Sequence, residues 1–316
     1  MEDTGAGPVR LLTRSEVRKL LGWPELIEAA ERALVALAAS DSVAAASGQL
    51  RVPGASLHLK SGALDTVLSV KANLRPDAGS SAGVVLAFDP VRFTLRAILD
   101  SADITAMRTA AIAAVAARRL ARAGDHSVAV IGAGPVGRHS LAALRRVVPV
   151  SDVRLWSRRR LAADELGAGV PGPVRVCESV AEAVAGAGIV ITATPSREPL
   201  VQAADLTPGA LVLAMGADTR GKRELGEGVL LDATVVADVL ADALVVGECA
   251  YLPDTFDRAA CAELGAVLAG RRELGDDGGR VVFDSVGSAV ADAAVTEMVL
   301  TLAERDDAGT LFSLGA

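Results

Sequence analysis

Lysine is scarce in this chain. Of 32 basic residues only Lys19, Lys60, Lys71 and Lys222 are lysine, and the rest are arginine. Lysine can shift its pKa and hand over a proton near neutrality, which arginine cannot, so a lysine kept against this bias marks a place for chemistry. Cysteine is also sparse. Cys177, Cys249 and Cys261 are odd in number and far apart, which excludes a disulfide framework and gives no zinc spacing. The three histidines, His58, His126 and His139, do not cluster either, so no metal is expected. No apolar run is long enough to span a membrane. The opening "MEDTGAGPVRLLTRSEV" is acidic and has no signal-peptide h-region, so the expected location is cytoplasmic. A net charge of −7 argues against nucleic acid as the main partner.

What is present is apolar and patterned. Hydrophobic residues make up 51% of the 316 positions, enough for two domains and a sizeable core. Thr13 and Glu16 form a capping box before "SEVRKLLGW". "PELIEAAERALVALAAS" follows, with Pro24 in its first turn and Leu26, Ile27, Ala30, Leu34 and Leu37 at helical spacing. From about residue 50 to 100, "LDTVLSVKANL", "GVVLAFDP" and "FTLRAILD" predict an antiparallel sheet. "DITAMRTAAIAAVAARRLARAG" predicts an alanine-rich helix ending near Gly124. Beyond it the pattern becomes strand, helix, strand: "SVAVIG", "DVRLWS", "GIVITAT", "ALVLAMG", "ATVVAD" and "RVVFDS". This alternation predicts a parallel sheet covered on both faces. The stretches "AGSSAG" and "GDDGG" read as loops, "SAVADAAVTEMVLTLAERD" as a last helix returning to the first domain, and "DDAGTLFSLGA" as a frayed tail.

The turn "VAVIGAGPVGRHSLAAL" carries the most specific signal. Gly132, Gly134 and Gly137 give G-x-G-x-x-G after a strand and at a helix start. The first glycine allows the tight turn, the second lets backbone approach a pyrophosphate, and the third lets helix and strand pack closely. With Pro135 and Val136, these residues put the positive end of a helix against phosphate. The second strand then discriminates between nucleotides. An NAD site ends that strand with an acid for the ribose 2′-hydroxyl. Here it ends in Ser157, Arg158, Arg159 and Arg160. Serine and arginine suit a 2′-phosphate, so NADP(H) is favoured and NAD(H) is the alternative.

Three further segments, "SVKANL", "DITAMRTAA" and "MGADTRGKREL", join the glycine turn. Together they resemble the ornithine cyclodeaminase/μ-crystallin family. So does the late stretch carrying Phe283, Ser285, Gly287 and Asp292. The resemblance implies an α/β chain in which a Rossmann-type parallel-sheet domain, residues 123–286, is inserted into an α+β domain. That α+β domain, residues 1–122 with 287–316, binds substrate and makes a homodimer. It implies a small amino, imino or keto acid as substrate. By the same resemblance Lys71 and Arg108 bind the substrate carboxylate, with Arg51 more loosely aligned, and Asp218 is the catalytic aspartate. The chemistry agrees: an α-carboxylate in a partly dry cleft needs fixed cations, and arginine offers a planar fork where lysine offers a point charge. Asp218 follows a strand on the carboxyl edge of the parallel sheet, where such folds place ligands. Thr109 is a candidate for the phosphates and Thr194, at another strand end, for the nicotinamide.

One region departs from the family. Where many members have a Met-Pro turn and cyclodeaminases a nearby Glu, this chain has "SLHLKSGALD", placing His58 and Lys60 there without an acid. That change points away from ornithine and toward a second acidic group or a keto or imino acid. Three readings follow. The favoured one is an NADPH-dependent imine reductase or amino-acid dehydrogenase, because cells keep NADP reduced. The second is a cyclodeaminase using NAD catalytically. The third is a crystallin-like binder without chemistry, against which Lys71, Arg108 and Asp218 all argue.

Overall fold

A computed structural model describes residues 7–39, 45–76, 81–275 and 278–314. The chain divides into two compact units, Met1–Arg108 with Ser288–Ala316, and Thr109–Gly287. The division falls inside one helix, Ala102–Leu120, whose alanine-rich residues are buried on nearly every face as far as Ala117. Among the described residues no helix is long and apolar enough to cross a membrane.

The first unit is built on a seven-stranded sheet. Its spatial order is Thr310–Phe312, Val9–Leu12, Thr94–Asp100, Ala82–Asp89, Val67–Pro76, Ala55–Leu64 and Ala45–Val52. Every neighbouring pair is antiparallel except Val9–Leu12 with Thr94–Asp100. The expected antiparallel sheet is therefore present but wider than the pattern foretold. The expected frayed tail is also corrected: Thr310–Phe312 pairs with Val9–Leu12, closing one edge. Three residues are too few to show a period in sequence, and their partner lies at the other end of the chain. The "AGSSAG" and "GDDGG" segments lie partly outside the described residues, and Ala82 and Gly83 open a strand instead of a loop.

Alternation decides the two faces. On Val67–Pro76 the buried side chains are Val67, Ser69, Lys71 and Asn73, while Leu68 and Leu74 face outward. Helix Ala289–Arg305 packs on strands Ala55–Leu64 and Val67–Pro76 and on helix Trp23–Ala39. The latter buries Leu26, Ile27, Ala30 and Leu34 as the spacing predicts, with Leu37 only half-buried. Thr13 caps helix Arg14–Leu20 through the expected box with Glu16.

The second unit holds eight parallel strands. In order they are Ala262–Glu263, Ala233–Ala237, Arg280–Asp284, Leu211–Ala214, Ile189–Thr192, His126–Ile131, Val150–Trp156 and Val174–Val176. The two outermost, Ala262–Glu263 and Val174–Val176, are too short to be seen as apolar runs. The four central strands Ile189–Thr192, Leu211–Ala214, His126–Ile131 and Arg280–Asp284 are almost wholly buried, which is why their sequences are continuous rather than alternating.

Close approach in the first unit rests on Gly62. A Cβ there would lie 2.6 Å from the backbone carbon and oxygen of Ala289. Backbone cannot step aside as a side chain can, so Gly62→Ala should cost about 1–3 kcal/mol in urea denaturation. Gly48→Ala, whose Cβ would meet nothing within 4 Å, is the control and should stay within about 0.5 kcal/mol.

Candidate active site

In the first unit, Lys71 projects from the middle of Val67–Pro76 onto the face covered by helix Ala289–Arg305. Arg108 comes from helix Ala102–Leu120. The two converge on Asp292 in the first turn of helix Ala289–Arg305, which Ser288 caps by accepting from the Val290 amide. Lys71 Nζ lies 2.5 Å from Asp292 Oδ2, and Arg108 Nε lies 3.0 Å from Oδ1. All three side chains are buried, at 4%, 6% and 1% exposure. Burial opposes ionisation of Asp292, but Lys71, Arg108 and Lys60 outweigh it and hold its carboxyl below the ordinary range. Burial, helped by repulsion from Arg108 and Lys60, pulls the Lys71 ammonium down to about 7 against the attraction of Asp292.

The ion pairs leave donors over. Nε is taken by Asp292, but Arg108 Nη1 is buried and has no hydrogen-bond partner. Buried donors without partners are costly, and a ligand anion is the simplest group to take them. Asn73, next on the Lys71 face, ties strand to helix by accepting from Ser101 Oγ at 2.6 Å and donating to Thr105 Oγ1 at 3.3 Å.

The second unit holds the glycine turn. Gly132 has φ +110°, and a Cβ there would lie 2.5 Å from the Ala193 carbonyl oxygen. A Cβ on Gly137 would lie 2.0 Å from the Gly132 oxygen. At Gly134 it would meet nothing within 4 Å, so that space stays open for a ligand. Gly134 caps helix Pro135–Leu144 with Pro135 at the start, leaving amides available at the turn. A cavity of about 290 Å³ lies here, bounded by Gly132–Gly134, by Ser157, Arg158 and Arg159, and by Thr194. Arg160 turns aside to Glu178 and Asp164, whereas Arg158 and Arg159 are exposed and pair with no carboxylate among the described residues. These features fit a dinucleotide.

Two loops at the carboxyl edge of the sheet are fastened by one buried acid. Glu224 Oε2 accepts from Thr192 Oγ1 at 2.8 Å and from the Gly216 amide at 2.9 Å, and Oε1 from the Thr194 amide at 2.6 Å. Burial raises its pKa in spite of these bonds. Glu248 in turn accepts from the Glu224 and Leu225 amides at 2.6 and 3.2 Å, and burial pushes it to about 8. Asp218 stands on the same loop, a quarter to a third exposed. It accepts from Lys222 Nζ at 2.5 Å and Thr219 Oγ1 at 3.1 Å.

The structure thus joins Lys71 and Arg108 within the first unit, and Gly132, Gly134, Ser157, Arg158, Arg159 and Thr194 around one cavity of the second. Pro135 and Val136 form the helix start there, and Thr109 is buried in Ala102–Leu120. Arg51 is not brought to Lys71. It is exposed on the edge strand, two strands away and four residues along from Ser47, or roughly 13 Å along and 10 Å across. His58 is half-buried, with Nε2 at 2.9 Å from Ser56 Oγ and 3.2 Å from Gln49 Nε2. Sequence reasoning gave no role to Asp292, Glu224 or Lys222. The first had been noticed only within a motif, and the other two lay in the quoted "GKREL".

A model of the ornithine cyclodeaminase/mu-crystallin family matches residues 13–306. The ketimine reductase mu-crystallin of Mus musculus is 35% identical over 217 residues, covering 68% of this chain and 67% of its own. The archaeal alanine dehydrogenase dimer with bound NAD superposes with a TM-score of 0.92 at 26% identity, covering 98% of this chain and all of that one. The Thermococcus litoralis Δ1-pyrroline-2-carboxylate reductase, in complex with NADH and L-proline, gives 0.88 at 25% identity over 96% of this chain and 99% of its own.

The depressed Lys71 gives a pH signature. Below pH 7 folded and unfolded chains both hold its proton; between about 7 and the ordinary 10.5 only the unfolded chain does. Folded-state stability therefore rises with pH across that window, by up to about 1.4 kcal/mol per unit. Urea midpoints at successive pH values should show the native chain gaining on Lys71→Met between pH 7 and 10. A constant difference would remove the assignment of a depressed lysine.

Proposed function

This chain belongs to the ornithine cyclodeaminase/mu-crystallin family, and from that premise we propose that it is an NADPH-dependent imine reductase or amino-acid dehydrogenase. It acts at Cα of an α-imino, α-keto or α-amino acid. The observation that carries this reading is the buried Lys71–Asp292–Arg108 cluster with a buried guanidinium nitrogen, Arg108 Nη1, left unpartnered. Such a cluster is a preformed seat for a carboxylate.

A nicotinamide cofactor, when bound, supplies or accepts the hydride. The chain's own residues do the rest. Arg108 presents unpaired N–H donors to the α-carboxylate and Lys71 a point charge, which fixes Cα in place. Asp218 exchanges a proton at the substrate nitrogen, and Lys222 Nζ, 2.5 Å from its Oδ1, holds that carboxylate in place. Gly132, Gly134 and the start of helix Pro135–Leu144 receive the pyrophosphate, while Ser157, Arg158 and Arg159 receive a 2′-phosphate. An acid at that strand end would repel the phosphate, and none is present.

The same reading includes a homodimer. The outer face of the seven-stranded sheet is apolar and uncovered: Leu50, Leu68, Leu74 and Val84 are 61%, 37%, 47% and 39% exposed. A second copy laid on this face would bury them.

The decisive assay follows NADPH consumption with Δ1-pyrroline-2-carboxylate, Δ1-piperideine-2-carboxylate, and 2-oxo acids plus ammonia. Turnover supports the proposal. Ammonia release from ornithine without net cofactor change would replace it with the cyclodeaminase reading, and tight NADPH binding without turnover on any substrate would leave only a binder. Arg158→Ala should weaken NADPH by about 10–100-fold and NADH far less. Equal losses would remove the 2′-phosphate assignment. Asp218→Asn should lower kcat by about 10²-fold with little change in cofactor affinity.

A further inference from the structure

Asn73 stands two residues beyond Lys71, on the same buried face of Val67–Pro76. It carries no charge and plays no part in seating a carboxylate. Its hydrogen bonds instead form a closed circuit with the start of helix Ala102–Leu120. Ser101 Oγ donates to Asn73 Oδ1 at 2.6 Å, and Asn73 Nδ2 donates to Thr105 Oγ1 at 3.3 Å. Thr105 Oγ1 then donates to the Ser101 carbonyl at 3.1 Å. The hydrogens dictate this order. The Thr105 hydroxyl gives its hydrogen to Ser101, so toward Asn73 it acts as acceptor, and the amide oxygen turns to Ser101. A buried amide offsets its desolvation only when both of its ends are met, as they are here.

The neighbouring strand leaves room for the circuit. Gly83 lies directly across from Asn73 on Ala82–Asp89. A Cβ there would lie 2.1 Å from Asn73 Oδ1 and 2.7 Å from Ser101 Oγ. The Gly83 carbonyl itself accepts from the Ser101 amide at 3.2 Å. Strand and helix start thus meet with no side chain between them.

Spacing connects the circuit to the carboxylate seat. Ser101, Thr105 and Arg108 follow one another by four and three residues, which puts them on one helical face. That face is tied to strand Val67–Pro76 twice. Asn73 holds it directly, and Asp292 links Arg108 to Lys71. Arg108 lies two turns beyond Ser101, about 10 Å along the axis, so a small rotation at the start carries its guanidinium away from Asp292. Asp103, two residues from both Ser101 and Thr105, occupies the opposite face. It holds Arg14 and Arg18 at 2.9 and 2.8 Å, which anchors the same turn from its other side.

We propose that Asn73 is a positioning residue for the carboxylate seat: by gripping Ser101 and Thr105 it sets the rotation of helix Ala102–Leu120, and so aims Arg108 at Asp292 and at the substrate carboxylate. The consequence for turnover rests on the reductase reading, whereas the aiming of Arg108 does not.

Asn73→Ala cuts the circuit from the strand and Ser101→Ala cuts it from the helix, so either variant that folds serves. Crystal structures should show Arg108 Nε out of hydrogen-bond reach of Asp292 in both. Asp103→Asn loosens the same turn from its other side and should keep that contact. In turnover, Asn73→Ala and Ser101→Ala should each raise KM for the carboxylate substrate by about tenfold or more, with kcat and KM for NADPH moving less than about threefold. Combining them should cost little more than either alone, because one circuit is lost in each case. Asp103→Asn should leave all three constants near native. Three results would overturn the inference: Arg108 still on Asp292 in the variants, an unmoved KM in an active enzyme, or an Asp103→Asn effect on KM as large as theirs. If Arg108 leaves Asp292 in the variants while the native chain reduces none of the acids offered, the aiming role stands and the reductase reading falls.

Discussion

A single buried carboxylate organises the first unit. Asp292 holds Lys71 from a strand and Arg108 from a helix, each otherwise a charge that could not be buried alone. Removing it would leave two cations in a dry place. Keeping it leaves the cluster with more positive than negative charge. The balance is what makes the arrangement useful: Asp292 makes the burial of both cations tolerable without saturating them. Arg108 keeps buried donors unspent, and Lys71 sits close to neutrality in its titration. Glycine supplies the space, since any side chain at position 62 would push away the helix that delivers Asp292.

The second unit solves a different problem with the same means. Its loops at the carboxyl edge of the sheet bury apolar residues such as Met215, Ala217 and Leu225, and buried acids fasten them as well. Glu224 fastens two of them at once, through Thr194 and Gly216, and Glu248 fastens the backbone of Glu224. Buried acids that accept several backbone N–H groups are expensive to desolvate, and the raised pKa values of Glu224 and Glu248 reflect that. The return is rigidity beside Asp218, whose own contacts, Lys222 and Thr219, belong to the same turn.

What could be seen in sequence was what is local. The glycine turn, the capping box at Thr13 and Glu16 and the buried parallel strands each show within a few residues of one another, since their causes are steric and short-range. The lack of an acid after Trp156 was equally visible. What could not be seen depends on distant segments. Asp292 meets Lys71 and Arg108 only because the last helix crosses back over the first sheet. The strand Thr310–Phe312 exists only because Val9–Leu12 offers it an edge. The strand Ala55–Leu64 shows little apolar alternation in sequence, because His58 and Lys60 stand half-buried on the face it shares with Lys71. Arg51 lies on the same face as Lys71 but far along its strand, a spacing that residue type alone does not show.

Composition proved more telling than pattern in one respect. A chain that writes arginine nearly everywhere keeps lysine at four places. Lys19 is exposed on a helix, but Lys60 and Lys71 face each other across a strand pair and Lys222 grips Asp218. Arginine could not take these positions unchanged. Its charge cannot be lost near pH 7, whereas that of lysine can. At Lys71 the protein has a cation that burial has brought within reach of deprotonation, opposite a second cation that pushes it the same way. A bound carboxylate would oppose the repulsion from that second cation and draw the proton back. The charge of the site thus depends on whether an anion is present, and this is a property that a site built from arginine alone would not have.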